Sequence, residues 1–201
     1  MRSKIASLVA LLLAAAVAGA AEPKLKPFVL ASRGAGDPAA VAEETKAKLA
    51  AAGFEIVASH APYPGAAILV FTSAELKAAA ATQRLGGYAA AQRATVTKVG
   101  DEVQVAWTSP VYMAAGYRLA ADLAPVAAKL EQALGKIEEY GSKDGKSAKD
   151  LKRYHYMMSM PYFDDPWELA GYPSQAEAIA AVEAGLDAGK GKTKKIYRID
   201  V

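Results

Sequence analysis

RATVTKVGDEVQVAW, residues 93–107, decides the fold. Two runs of alternating residues, Arg93 to Lys98 and Glu102 to Trp107, flank Val99-Gly100-Asp101, a tight-turn sequence, so this stretch reads as an antiparallel hairpin. Thr95, Thr97, Val103 and Val105 suit a pleated surface. Upstream, Ala67-Ile68-Leu69-Val70-Phe71 is dense in β-formers and predicts a central strand. Ser73 is placed to cap a helix that starts at Ala74 and ends near Gly86-Gly87. Further upstream, Phe28 to Ala31 reads as a short buried strand and Ser32 to Pro38 as a loop. Asp37 caps a helix whose first residue is Pro38 and which runs to Ala52. Gly53 supplies the left-handed stop, and Phe54 to Ala58 is a second strand, completing a strand–helix–strand unit.

Downstream, Leu119, Leu123, Val126, Leu130, Leu134 and Ile137 recur at three- and four-residue steps and predict one face of an amphipathic helix, with Pro125 in its first turn. GSKDGKSAKD, residues 141–150, has almost no apolar residues and reads as a solvated linker or hairpin tip. The tail then predicts a strand from Arg153 to Met160 and a loop holding Asp164, Asp165, Pro166 and Trp167. Ser174 and Glu177 form a capping box that opens a helix with Ile179, Val182 and Leu186 on one face, and Lys195 to Val201 closes as a strand. The expected fold class is α+β, a mostly antiparallel sheet with amphipathic helices packed on one side. The expected organisation is an export signal over 1–20, an α+β domain over 21–140, a linker over 141–152, and a strand–helix–strand extension over 153–201 packing on the same domain.

The successions AVAEETKAKLAAAGFEIVA (40–58), AAILVFTSAELKA (66–78) and VQVAWTSPVYMAAGYRLAADLAPVAAKLEQAL (103–134) resemble the domain of unknown function 302 family, in which a helix ending in Gly-Phe precedes paired strands. The likeness covers about Pro27 to Gly135 and leaves out the tail after Arg153. It implies a compact α+β fold that associates into dimers, with no established reaction and no catalytic residues to carry across.

Composition narrows the function. The 201 residues are 53% hydrophobic, with 24 Lys+Arg against 21 Asp+Glu, two histidines and no cysteine. A chain of this kind folds around an apolar core. Its net charge of +3 is too small to argue for a nucleic-acid partner. Lack of cysteine excludes thiolate catalysis, iron–sulfur ligation and sulfur-bound zinc, and two histidines give poor support to a Ser/His/Asp triad.

Residues 1–20 begin with Arg2 and Lys4, run through Leu8-Val9-Ala10-Leu11-Leu12-Leu13 and end in Ala18-Gly19-Ala20. That is the pattern of a cleaved Sec-type signal peptide. Cleavage leaves roughly 180 residues of near-neutral charge, expected to be soluble, periplasmic or secreted, and away from the membrane.

The chemistry-bearing stretch is Tyr154-His155-Tyr156-Met157-Met158-Ser159-Met160, which holds one of two histidines and three of five methionines. Imidazole and thioether are the soft donors that suit Cu(I), so His155, Met157, Met158 and Met160 are candidate metal ligands. On a strand, His155 and Met157 share one face while Met158 and Met160 share the other, so a second source is needed. Met113, expected at the end of another strand, supplies it. Haem ligated by His155 and a methionine is the secondary form of this reading. Against it, methionines commonly fill gaps in a core. Tyr112, Tyr154, Tyr156 and Trp167 are candidates to line a small-ligand pocket or an interface, since aromatic rims do both.

The loop 32–37 offers Arg33 beside a helix N-terminus, though Asp37 already caps it. His60 reads as a loop residue. The resulting expectation is a non-enzymatic exported binding or accessory protein taking a soft metal, copper, or a small ligand through a Met/His/aromatic site. The alternative is a homodimeric structural module with no ligand. An enzyme built on Arg33, His60, His155 and a carboxylate ranks below both, because no motif ties those residues together.

Overall fold

In the computed structural model, which describes residues 22–163 and 165–201, one six-stranded sheet holds the molecule together. Its strands are β1 (Phe28–Gly34), β2 (Glu55–His60), β3 (Ala66–Thr72), β4 (Gln92–Val99), β5 (Glu102–Thr108) and β6 (Glu138–Tyr140), in the order β2-β3-β4-β5-β1-β6. Every neighbouring pair is antiparallel. The helices are α1 (Pro38–Ala51), α2 (Ala74–Ala80), α3 (Gly87–Ala90), α4 (Pro110–Gly116), α5 (Ala124–Leu134), α6 (Ala148–Leu151) and α7 (Gln175–Asp187). The fold is α+β. The expected export signal, Met1 to Ala20, lies outside the described residues, as does Asp164. No helix among the described residues is long and apolar enough to cross a membrane.

The strand period of two sets the core. Val29, Leu69, Phe71, Ala94, Val96, Val103, Val105 and Trp107 point to one face of the sheet, where α1 brings Ala42, Thr45 and Leu49 and α5 brings Val126, Leu130 and Leu134. Each fully buried Leu or Val contributes about 1.5–3 kcal/mol over its exposed state, so the α5 stripe is a main source of stability. Helices α1 and α2 start where local chemistry dictates. The Asp37 carboxylate accepts from the Ala39 N–H ahead of Pro38, and the Ser73 hydroxyl accepts from the Leu76 N–H.

Several boundaries differ from expectation. Helix α5 is shorter than the Leu119–Ile137 periodicity. It opens at Ala124, whose N–H is held by the Asp122 carboxylate, and ends at Gly135, whose φ of 96° closes it. A side chain at Gly135 would meet the Ala31 carbonyl at 2.9 Å, at the bulge in β1, so this turn admits only glycine. Strand β1 continues through Ser32 and Arg33, which were expected in a loop, because both pair with β5.

Residues 110–116 form α4 rather than the end of a strand, since Ser109 accepts from the Tyr112 N–H and Pro110 presets the first turn. Within the expected linker, Lys146 pairs with Leu25, Ser147 and Asp150 form a reciprocal capping box, and Leu151 is 1% exposed. Arg153 to Met160 and Lys195 to Val201, both expected as strands, contain none: the first is a series of turns with Ser159 at φ 72°, and neither pairs with a sheet edge. Helix α7 forms as expected, with Ser174 accepting from the Glu177 N–H.

Candidate functional site

The tail leaves the domain where Arg118 donates from Nε and Nη2 to the Lys152 carbonyl, at 3.1 and 2.7 Å. Beyond that point a ladder of rings seats it on α4. Tyr88 stacks on Tyr117 (centroids 5.2 Å apart), Tyr117 meets Phe163 edge-on (6.0 Å), and Phe163 meets Tyr154 (6.1 Å). The Phe163 ring lies over Gly116, 3.6 Å from where a Cβ would stand, which is ordinary van der Waals distance. Lys146 Nζ lies 4.9 Å from the centre of the Tyr154 ring, a cation–π distance. Burial pushes the Tyr112 phenol above its ordinary range, with Tyr154 adding to the effect, which puts these two tyrosines in one environment.

Residues 155–163 and 165–167 fold back on one another. His155 Nδ1 lies 2.6 Å from the Met157 carbonyl, and the ring packs on Tyr162 at 5.0 Å. A carbonyl only accepts, so Nδ1 carries the proton; in the neutral ring Nε2 then keeps its lone pair. The Asp165 carboxylate accepts from the Tyr162 N–H, and the Asp165 N–H donates back to the Tyr162 carbonyl. These turns form an open cleft of about 450 Å³ lined by His155, Ser159, Met160, Pro161, Tyr162, Asp165 and Trp167.

His155, Met160 and Trp167 therefore share one cleft. Met157 and Met158 sit on the same loop outside it, Met158 at 88% exposure. Met113 lies on α4, half-buried, and does not line the cleft. Tyr112 and Tyr154 belong to the aromatic seat rather than to the cleft, and Tyr156 is exposed. Arg33 and His60 are on β1 and β2, with three strands between them, which is roughly 19 Å at the usual strand spacing. They do not meet one substrate. Among the described residues, no group of three or more His, Asp or Glu side chains could hold a metal ion.

Tyr88 and Tyr117 take part in this arrangement without having stood out as site residues. The Gly116-Tyr117 pair was the available signal, a bare backbone position next to a ring. Its partner Phe163 is 46 residues away, and only the fold joins them. No family model, curated protein or solved structure matches the chain.

Proposed function

We propose that this chain is an exported, non-enzymatic binding or accessory protein whose His155–Trp167 cleft captures a soft monovalent cation, Cu(I). The observation that carries the reading is the 2.6 Å contact from His155 Nδ1 to the Met157 carbonyl, in a loop where His155 shares a cleft with the Met160 thioether and the Trp167 ring. A metal-binding imidazole is commonly held this way, its far nitrogen donating to a carbonyl while the near one keeps its lone pair. Thioether and imidazole favour Cu(I) over harder ions, and an indole face attracts a cation. The Met1–Ala20 pattern supports export, to a compartment where a chain without cysteine meets copper through these donors alone.

The test is competition for Cu(I) against a chromophoric bathocuproine-type chelator. One ion per chain is expected, with affinity falling about tenfold or more in a His155→Ala, Met160→Ala double variant. An unchanged affinity in that variant overturns the reading.

A second reading, a homodimeric interaction module, rests on a separate observation. Of the eighteen exposed large apolar side chains among the described residues, twelve lie after Arg153. Exposed apolar side chains concentrated in one segment of the chain support a contact surface there. Light scattering tests it, since a strict monomer at high concentration excludes it.

A further inference from the structure

Helix α7 turns one face toward the domain without burying it. Gln175, Ala178, Ile179, Val182, Glu183 and Leu186, at three- and four-residue steps, line one wall of a cleft of about 790 Å³. The opposite wall is the passage from α3 into β4, with Tyr88, Ala90, Ala91 and Arg93, and the chain from Tyr197 to Val201 closes the third side. That volume lies within the roughly 300–1,000 Å³ of small-molecule sites. The apolar stripe is available, Val182 being 57% exposed.

The charged side chains of the cleft are unevenly paired. Glu183 is engaged by both Lys195 (2.7 Å) and Arg198 (3.4 Å), and Asp200 by Arg198 (2.7 Å). Arg93 has no carboxylate within ion-pair distance among the described residues, while its backbone is fixed by Thr108 on β5. It lies close enough to Tyr117 to offset part of the upward push that burial gives that phenol. Lys195 and Arg198 are thus taken up by Glu183 and Asp200, which leaves Arg93 as a guanidinium on a rigid strand at the rim of an apolar wall.

We propose that this cleft binds one amphipathic monoanion, an aliphatic carboxylate, with its chain along Ile179, Val182 and Leu186 and its head group on Arg93. A guanidinium meets a carboxylate through two parallel N–H donors, which fixes the head group, while the alkyl chain removes the exposed stripe from water. The site uses none of the residues of the His155 cleft and stands or falls separately from copper capture.

Calorimetric titration of the full chain with dodecanoate, below its micellar range, tests the proposal. One saturable site per chain is expected, with affinity reduced about tenfold or more by Arg93→Gln and by Val182→Asp, and retained in the His155→Ala, Met160→Ala variant. Dodecyltrimethylammonium, which has the same chain and the opposite charge, should bind far more weakly. Arg93 and Val182 are exposed, so both variants keep the fold, which circular dichroism verifies. The proposal is overturned if dodecanoate fails to saturate, if Arg93→Gln leaves its affinity unchanged, or if the cationic surfactant binds as tightly.

Discussion

Helices α5 and α7 are written in the same code and have opposite fates. Each carries an apolar stripe at three- and four-residue spacing, and each opens beside an oxygen that accepts an early N–H. In α5, Val126, Leu130 and Leu134 are buried against the sheet; in α7 no residue is buried. The contrast extends to the regions that hold them. Every buried apolar residue among those described lies between Val29 and Leu151, whereas the 153–201 tail holds most of the exposed large apolar side chains. Periodicity reports that a helix has a face to cover, and says nothing of what covers it. For α5 the cover is the sheet, and for α7 it is the cleft in which we place a ligand.

The largest effect expected from this contrast is in the sheet-bound helix. Leu130 is fully buried, and Leu130→Ala should cost about 2–5 kcal/mol, read as a lowered urea midpoint. A loss below about 1 kcal/mol would mean that α5 is held far more loosely than its packing indicates.

Next in size is the boundary between the two regions. Ser147 accepts from the Asp150 N–H at 3.1 Å, Asp150 accepts from the Ser147 N–H, and the Ser147 side chain is buried. Removing a cap of this kind costs about 1 kcal/mol. Ser147→Ala should therefore lower the global midpoint if α6 folds with the domain. If only local proteolysis near Lys152 increases while the midpoint stays, the domain ends before Ser147 and residues 141–152 act as a linker.

A smaller effect depends on pH. Glu75 on α2 is held by Lys129 on α5, and that hydrogen bond, with help from the Glu75 and Ser73 groups at the start of α2, lowers its carboxyl from 4.5 to about 2. A carboxyl depressed on folding stabilises fully above its unfolded value and loses that contribution as pH falls through the folded one. The loss thus runs from about pH 4.5 to pH 2. Because both side chains are about half exposed, screening limits it to about 1 kcal/mol or less. Glu75→Gln should flatten the acid limb of a stability–pH curve by that amount. Glu183→Gln, in the tail, should leave the global curve unchanged although Lys195 also holds its carboxyl below the ordinary range.

The same contrast explains what was legible in the sequence. The 93–107 hairpin, the caps at Asp37, Ser73 and Ser174 and the Gly53 stop are local chemistry, and each could be read within a few residues. Helix α4 was equally local, signalled by Ser109-Pro110, but the apolar run before it favoured continuing the strand. The strands expected at 153–160 and 195–201 depend on a nonlocal partner: a strand needs an edge to pair with, and neither segment pairs with β2 or with the three-residue β6, the two edges of the sheet. In the candidate site, the His155–Met157 contact spans two residues, yet the fold-back that brings Met160 and Trp167 beside His155 passes through Ser159 at positive φ, which no glycine announces.

The smallest effect is also the cleanest control on the whole comparison. Val182 stands in the middle of the α7 stripe as Leu130 does in α5, but it faces the cleft and is more than half exposed. Val182→Ala removes two methyl groups that already contact water and replaces a β-branched residue by the best helix former, so the change in stability should stay within about 0.5 kcal/mol of zero. With dodecanoate bound, those methyl groups become buried and the same substitution should acquire a cost, seen as a smaller ligand-induced rise in Tm than in the parent chain. A Val182→Ala loss of several kcal/mol without ligand would show that α7 is packed on the domain and that the tail belongs to the core after all.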